Sequence, residues 1–136
     1  MIDARVRSIF DKANFIQLLG IKLTATGDNW CEAHMTIREE YRQQHGLVHA
    51  GVLATMADHT AGGAARAVSG ERDVITVGFN INFLRAAKGN ELRCRAHVIK
   101  AGSRIIVVES EVFSREAGKE VLVTKLTETL AVIDQA

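Results

Sequence analysis

The sequence predicts an α+β domain in which an antiparallel sheet wraps one long helix. Three observations carry this. Residues 48–68 are mostly Ala, Val, Leu, Met, Gly and Thr, with apolar positions all round the helical wheel, so a helix there is covered on every side. Residues 74–84 alternate strictly between apolar and polar, the period of a strand. Three further strand-like segments follow with only short turns between them, and short turns join antiparallel neighbours.

The 136 residues are 47% hydrophobic and 24% charged, which suits one domain spanning 1–136 that buries about two-thirds of its unfolded surface. Seventeen basic against sixteen acidic residues leave a formal charge of +1, with no electrostatic footprint for nucleic acid. Cys31 and Cys94 lie far apart in strand-like segments and read as buried, reduced thiols of a reducing cytoplasm. The opening MIDARVRSIFDKANF alternates charge with apolar residues and lacks the apolar core of a signal peptide, which also points to a cytoplasmic protein.

In chain order, residues 3–12 predict a short amphipathic helix with Val6, Ile9 and Phe10 on one side, and NFIQLLGIKL a second turn leading into a strand. IKLTATGDNWCEAHMTI reads as a hairpin turning at Gly27-Asp28-Asn29. The long helix comes next, then the strand with Ile75, Val77, Phe79, Ile81 and Phe83 on one face and Thr76, Gly78, Asn80 and Asn82 on the other. ELRCRAHVIK, SRIIVVESEVFSR and EVLVTKLTETLAVI complete a four-stranded meander, with turns at Lys88-Gly89-Asn90, Ala101-Gly102-Ser103 and Ala117-Gly118-Lys119. A sheet around one helix leaves edges to cover, and dimerisation covers them.

The chemistry centres on Asp58, a carboxylate in an apolar run, sharing a helical face with Gly51, Ala54, Thr55, Ala61 and Gly62. Small residues let a ligand or a second backbone approach. HGLVHAG offers no Ser, Thr, Asp or Asn immediately before Val48 to cap a helix starting there, so its first N–H groups are free to bind a polarised carbonyl oxygen. Two other readings stay open: Asp58 caps a second helix beginning at DHTAGGAA, or His45, His49 and Asp58 hold a metal without the glutamate of the HExxH pattern. His34, His59 and His97 read as ordinary polar or surface residues.

HGLVHAGVLATMAD followed by VGFNINFLRAAKG resembles the hotdog-fold acyl-CoA thioesterases, in particular the phenylacetyl-CoA thioesterase-like branch, over nearly the whole chain. The family pattern is His-Gly-Gly, six residues, then an acid; here it reads His49-Ala50-Gly51, Val52 to Ala57, then Asp58. The resemblance implies a curved antiparallel sheet around a central helix, homodimers that join their sheets, and homotetramers built from dimers. It implies hydrolysis of an aryl- or short/medium-chain acyl-CoA with no cofactor and no metal. Asp58 would be nucleophile or general base, and Ala50 N–H of the other protomer would polarise the carbonyl. Gln43, or its neighbour Gln44, would position carbonyl or water, and Thr76 would orient acid or water. Arg85, Ser103 and Arg104 would meet the coenzyme A moiety. Ala50 in place of glycine motivates a second reading, a non-catalytic acyl-CoA-binding protein on the same fold. A dehydratase of the related fold would need a Gly-His-Phe-Pro-like loop that this chain lacks.

Overall fold

The computed structural model describes residues 1–134. Helix α1 (Ala4–Asp11) starts at Asp3, whose carboxylate accepts from the Arg5 N–H at 2.8 Å, and it buries Val6 and Phe10. Helix α2 (Asn14–Leu19) stops at Gly20, which takes the left-handed φ of 74° that glycine allows. The hairpin of β1 (Lys22–Thr26) and β2 (Trp30–Thr36) follows, and a 3-10 turn at Glu39–Tyr41 leads towards helix α3 (Ala50–Val68). Strands β3 (Asp73–Phe83), β4 (Glu91–Ala101), β5 (Ile105–Glu116) and β6 (Lys119–Ile133) complete a six-stranded sheet, every pairing antiparallel.

The strand order is β1-β2-β4-β5-β6-β3. This corrects the four-stranded meander: only β4, β5 and β6 are consecutive neighbours. The segment between β3 and β4 is longer than a hairpin turn and carries the chain across, which leaves β3 on the far edge beside β6. One face of the sheet packs on α3, with Cys31, Ala33, Met35, Cys94, Ala96, Ile106, Val108, Leu126 and Leu130 buried against Leu53, Met56, Ala57, Ala61, Ala64 and Ala65. Gly63 makes the closest approach. A Cβ there would stand 2.7 Å from Cys31 Sγ, 3.1 Å from Phe10 and 3.2 Å from Val6, so the glycine sets how tightly helix, sheet and α1 pack. Both thiols are buried and unpaired in disulfides; burial pushes Cys94 up to about 11 and raises Cys31 further.

The covered-all-round reading of α3 is corrected as well. Ala50 and Gly51 are exposed, and Ala54, Thr55, Asp58 and Gly62 are half-buried along one flank. That flank borders β3, one of the two edge strands, which has no neighbour on its outer side among the described residues.

Candidate active site

The helix begins at Ala50, two residues later than Val48, and His49 caps it: Nδ1 accepts from the Gly51 N–H at 2.8 Å. The absent Ser, Thr, Asp or Asn is thus replaced by a ring nitrogen, and the ring is the tautomer protonated on Nε2. The N–H groups of Val52 and Leu53 turn back to the His49 carbonyl. Ala50 N–H has no acceptor among the described residues, so the cap leaves one donor open at the positive end of the helix dipole.

A cavity of about 490 Å³ opens at this terminus, bringing together Gln43, Gln44, His49, Ala50 and Arg85. Gln43 Oε1 accepts from the N–H groups of His45 at 2.6 Å and Leu47 at 3.2 Å, which fixes the loop and leaves the amide Nε2 as its free donor. Arg85 is exposed and donates to the Leu122 carbonyl at 3.2 Å.

Asp58 lies eight residues further along a continuous α3, which removes the reading of it as the cap of a second helix. Thr76 Oγ1 donates to Asp58 Oδ1 at 2.9 Å. The strand phase expected for Thr76 is wrong, and the reason is a β-bulge between Thr76 and Gly78. Thr76 pairs with Leu130 and Phe79 with Glu128, so the extra residue puts Thr76 on the helix-facing side together with Phe79, Ile81 and Phe83. A second cavity, about 350 Å³, is lined by Asp58, Thr76, Ile9, Gly62, Val74 and Leu130 and closes at Arg66 and Asp73, 3.9 Å apart. Nothing stands within 4 Å of where a Gly62 Cβ would be, so this glycine keeps the cavity open.

His59 is not an ordinary surface residue: Nε2 donates to the Ile9 carbonyl at 3.1 Å, the ring packs edge-on to Phe10, and burial lowers its pKa. His34, by contrast, pairs with Thr24 at 2.9 Å on an exposed strand face.

Glu128 is the residue that sequence reasoning missed. Fully buried beside Thr76 Oγ1 at 3.3 Å, it is pushed up to about 10 by burial first, then by its hydrogen bond with Asp58 and the Asp58 charge. A signal existed: Glu128 is in phase with Leu126 and Leu130, while Lys125, Thr127 and Thr129 occupy the other face.

Ser103 and Arg104 sit at the β4–β5 turn, where the Ser103 carbonyl accepts from Arg72 and the Arg104 carbonyl from Val132 N–H. Within one protomer they are at the β3 end marked by Asp73, and Arg85 follows the opposite end at Phe83.

The pattern of the Thioesterase superfamily matches residues 45–121, more than half of the chain, including His49, Ala50, Asp58 and Thr76. The chain belongs to the thioesterase superfamily. This thioesterase is 28% identical over 117 residues to the 1,4-dihydroxy-2-naphthoyl-CoA hydrolase of Escherichia coli, covering 85% of each chain. A crystal structure of a thioesterase family protein from Silicibacter pomeroyi superposes with a TM-score of 0.93 at 30% identity and 96% coverage of both chains. The Escherichia coli PaaI protein, from the phenylacetic acid degradation operon, shares the fold with a TM-score of 0.88 at 18% identity, covering 97% of this chain and 94% of its own. The thioesterase has the hotdog architecture, and its chemistry is thioester hydrolysis.

Proposed function

We propose that the protein hydrolyses the thioester of an aryl- or short/medium-chain acyl-CoA in a site built by two protomers. The observation that carries this reading is a separation. Asp58 and the open Ala50 N–H lie eight residues apart on one helix, about 12 Å along its axis. One carbonyl cannot meet both from the same chain. The bare edge of β3, with Ile75, Val77, Phe79 and Phe83 exposed, supports a pairing of two copies through that edge. A twofold antiparallel pairing lays the Phe83 end of one β3 beside the Asp73 end of the other. Asp58, Thr76, Ser103 and Arg104 of one protomer would then face Gln43, His49, Ala50 and Arg85 of its partner.

In that arrangement the acyl group occupies the cavity over Gly62, where Ile9, Val74 and Leu130 offer apolar contacts to an aromatic ring or a short chain. The partner's Ala50 N–H and the Gln43 amide hold the carbonyl oxygen. Asp58, oriented by Thr76, takes a proton from water as the water oxygen adds to the carbonyl carbon. The tetrahedral intermediate collapses, the C–S bond breaks, and the proton on Asp58 passes to the leaving thiolate, giving free acid and coenzyme A. The guanidinium groups of Arg85 and Arg104 would meet coenzyme A phosphates. The methyl of Ala50 leaves its own N–H unobstructed, so the alanine speaks for no loss of catalysis.

Thiol release from phenylacetyl-, hydroxybenzoyl-, butyryl- and octanoyl-CoA tests the proposal, with wild type compared to Asp58→Asn. The expected result is turnover of at least one ester and a fall of about 100-fold or more in the variant with binding retained. Saturable binding without release from any ester would establish the binding-protein reading instead.

A further inference from the structure

Glu128 stands on the face of β6 that meets α3, and no part of it reaches solvent. Across the ladder it neighbours Val108 of β5 and Phe79 of β3. Its Oε2 is 3.3 Å from Thr76 Oγ1, the hydroxyl that donates to Asp58 Oδ1 at 2.9 Å. A hydroxyl carries one proton and serves one carboxyl at a time; the shorter contact belongs to Asp58. Glu128 Oε1 meets no N–H or O–H donor among the described residues. Ionised, Glu128 would be a buried anion next to a second carboxylate with nothing of its own to hold it.

We propose that Glu128 is a positioning residue for Asp58: kept as the neutral acid, it donates its own proton to the Asp58 carboxylate and fixes it, and its ionisation at alkaline pH turns the site off. This rests on the hydrolytic role of Asp58 given above. Two facing carboxyl groups hydrogen-bond only when one carries a proton, and Glu128 is the one wholly removed from water. Its pKa, pushed up to about 10, agrees in direction; only the Thr76 hydroxyl opposes the shift. With two donors, Thr76 and Glu128, Asp58 is clamped against the sheet while its remaining lone pairs face the cavity for water.

The other titratable groups on that cavity are His59 and Arg66 of α3 and Asp73 of β3. His59 is turned to the Ile9 carbonyl, and burial disfavours its cation. Arg66 is engaged by Ser69 Oγ and the Gly70 carbonyl at the far end of the cavity, near Asp73. Val108, Ser110, Leu126 and Leu130, which share the inner face of β5 and β6, carry no charge.

The test is a titration of the full chain labelled with carbon-13 at the glutamate carboxyl, followed by NMR from about pH 5 to about pH 11. The Glu128 signal is identified by its loss in Glu128→Gln. It is expected to keep the protonated position at neutral pH and to move only in the alkaline range. Movement in the ordinary glutamate range, near about 4.3, overturns the proposal whatever the activity. Rates give a second readout. For an ester the wild type hydrolyses, kcat/KM corrected for uncatalysed hydrolysis falls at the alkaline midpoint seen by NMR. Glu128→Gln keeps a donor and cannot ionise, so that fall disappears; folded Glu128→Leu loses about 10-fold or more at neutral pH, and Glu128→Gln recovers part of it. An alkaline fall that survives in Glu128→Gln, or a fully active Glu128→Leu, overturns the positioning role. A wild type that releases no thiol while Glu128 still titrates only in the alkaline range removes the hydrolytic reading and supports the assignment of the proton.

Discussion

Buried charge is costly, and Asp58 at first resembles an unsupported carboxylate in an apolar helix. It is supported from the sheet, by the Thr76 hydroxyl and the Glu128 acid. The arrangement has a signature in stability. Glu128 ionises near 4.5 when unfolded and near 10 when folded, so between these values folding takes up a proton. Its contribution is complete below 4.5 and is lost as pH rises towards 10. Glu128→Gln has no such proton to lose. The unfolding free energy of the variant relative to wild type, measured in urea, should therefore climb steadily from about pH 6 to about pH 9, by at most about 1.4 kcal/mol per pH unit, and parallel curves would place the proton elsewhere.

At the scale of the element, α3 carries adjacent glycines with opposite duties. Gly62 faces the open cavity, and Gly63 faces Cys31, Phe10 and Val6. Gly62→Ala should stabilise the fold by about 0.5–1 kcal/mol in urea unfolding, because alanine orders the helix and meets nothing. Gly63→Ala should destabilise it by about 1–3 kcal/mol, because its methyl overlaps Cys31 Sγ and crowds Phe10 and Val6. Equal effects would mean that the two flanks of the helix are packed alike. On β3 the corresponding feature is the bulge, which brings Thr76 to the helix side of an edge strand.

Over the whole molecule the question is which chains share a site. Ala50 is the first residue of α3 and follows His49 in extended conformation (φ −61°, ψ 137°), so proline fits there and removes only the N–H. Ala50→Pro should fold like wild type and lose about 100-fold in rate. Mixed and re-assorted with Asp58→Asn, it should recover up to about a quarter of the wild-type rate, since half of the dimers regain one of their two sites. No recovery between chains that exchange would show that Asp58 and Ala50 N–H do not act across an interface.

The sequence by itself determined the element types, the long apolar α3, the strand segments and the family. Each depends on local periodicity or on fixed spacing, which a single chain displays without partners. The tertiary structure decided what those signals cannot carry. Edge placement of β3 depends on which strands pair, and the side of Thr76 depends on one bulged residue. The His49 cap depends on a ring rotamer. Glu128 joins Asp58 from 70 positions away in sequence, through a contact that exists only once sheet and helix have packed. Its charge was visible in the pattern of β6, but its proton is a property of the folded interior, where burial and a neighbouring carboxylate act together.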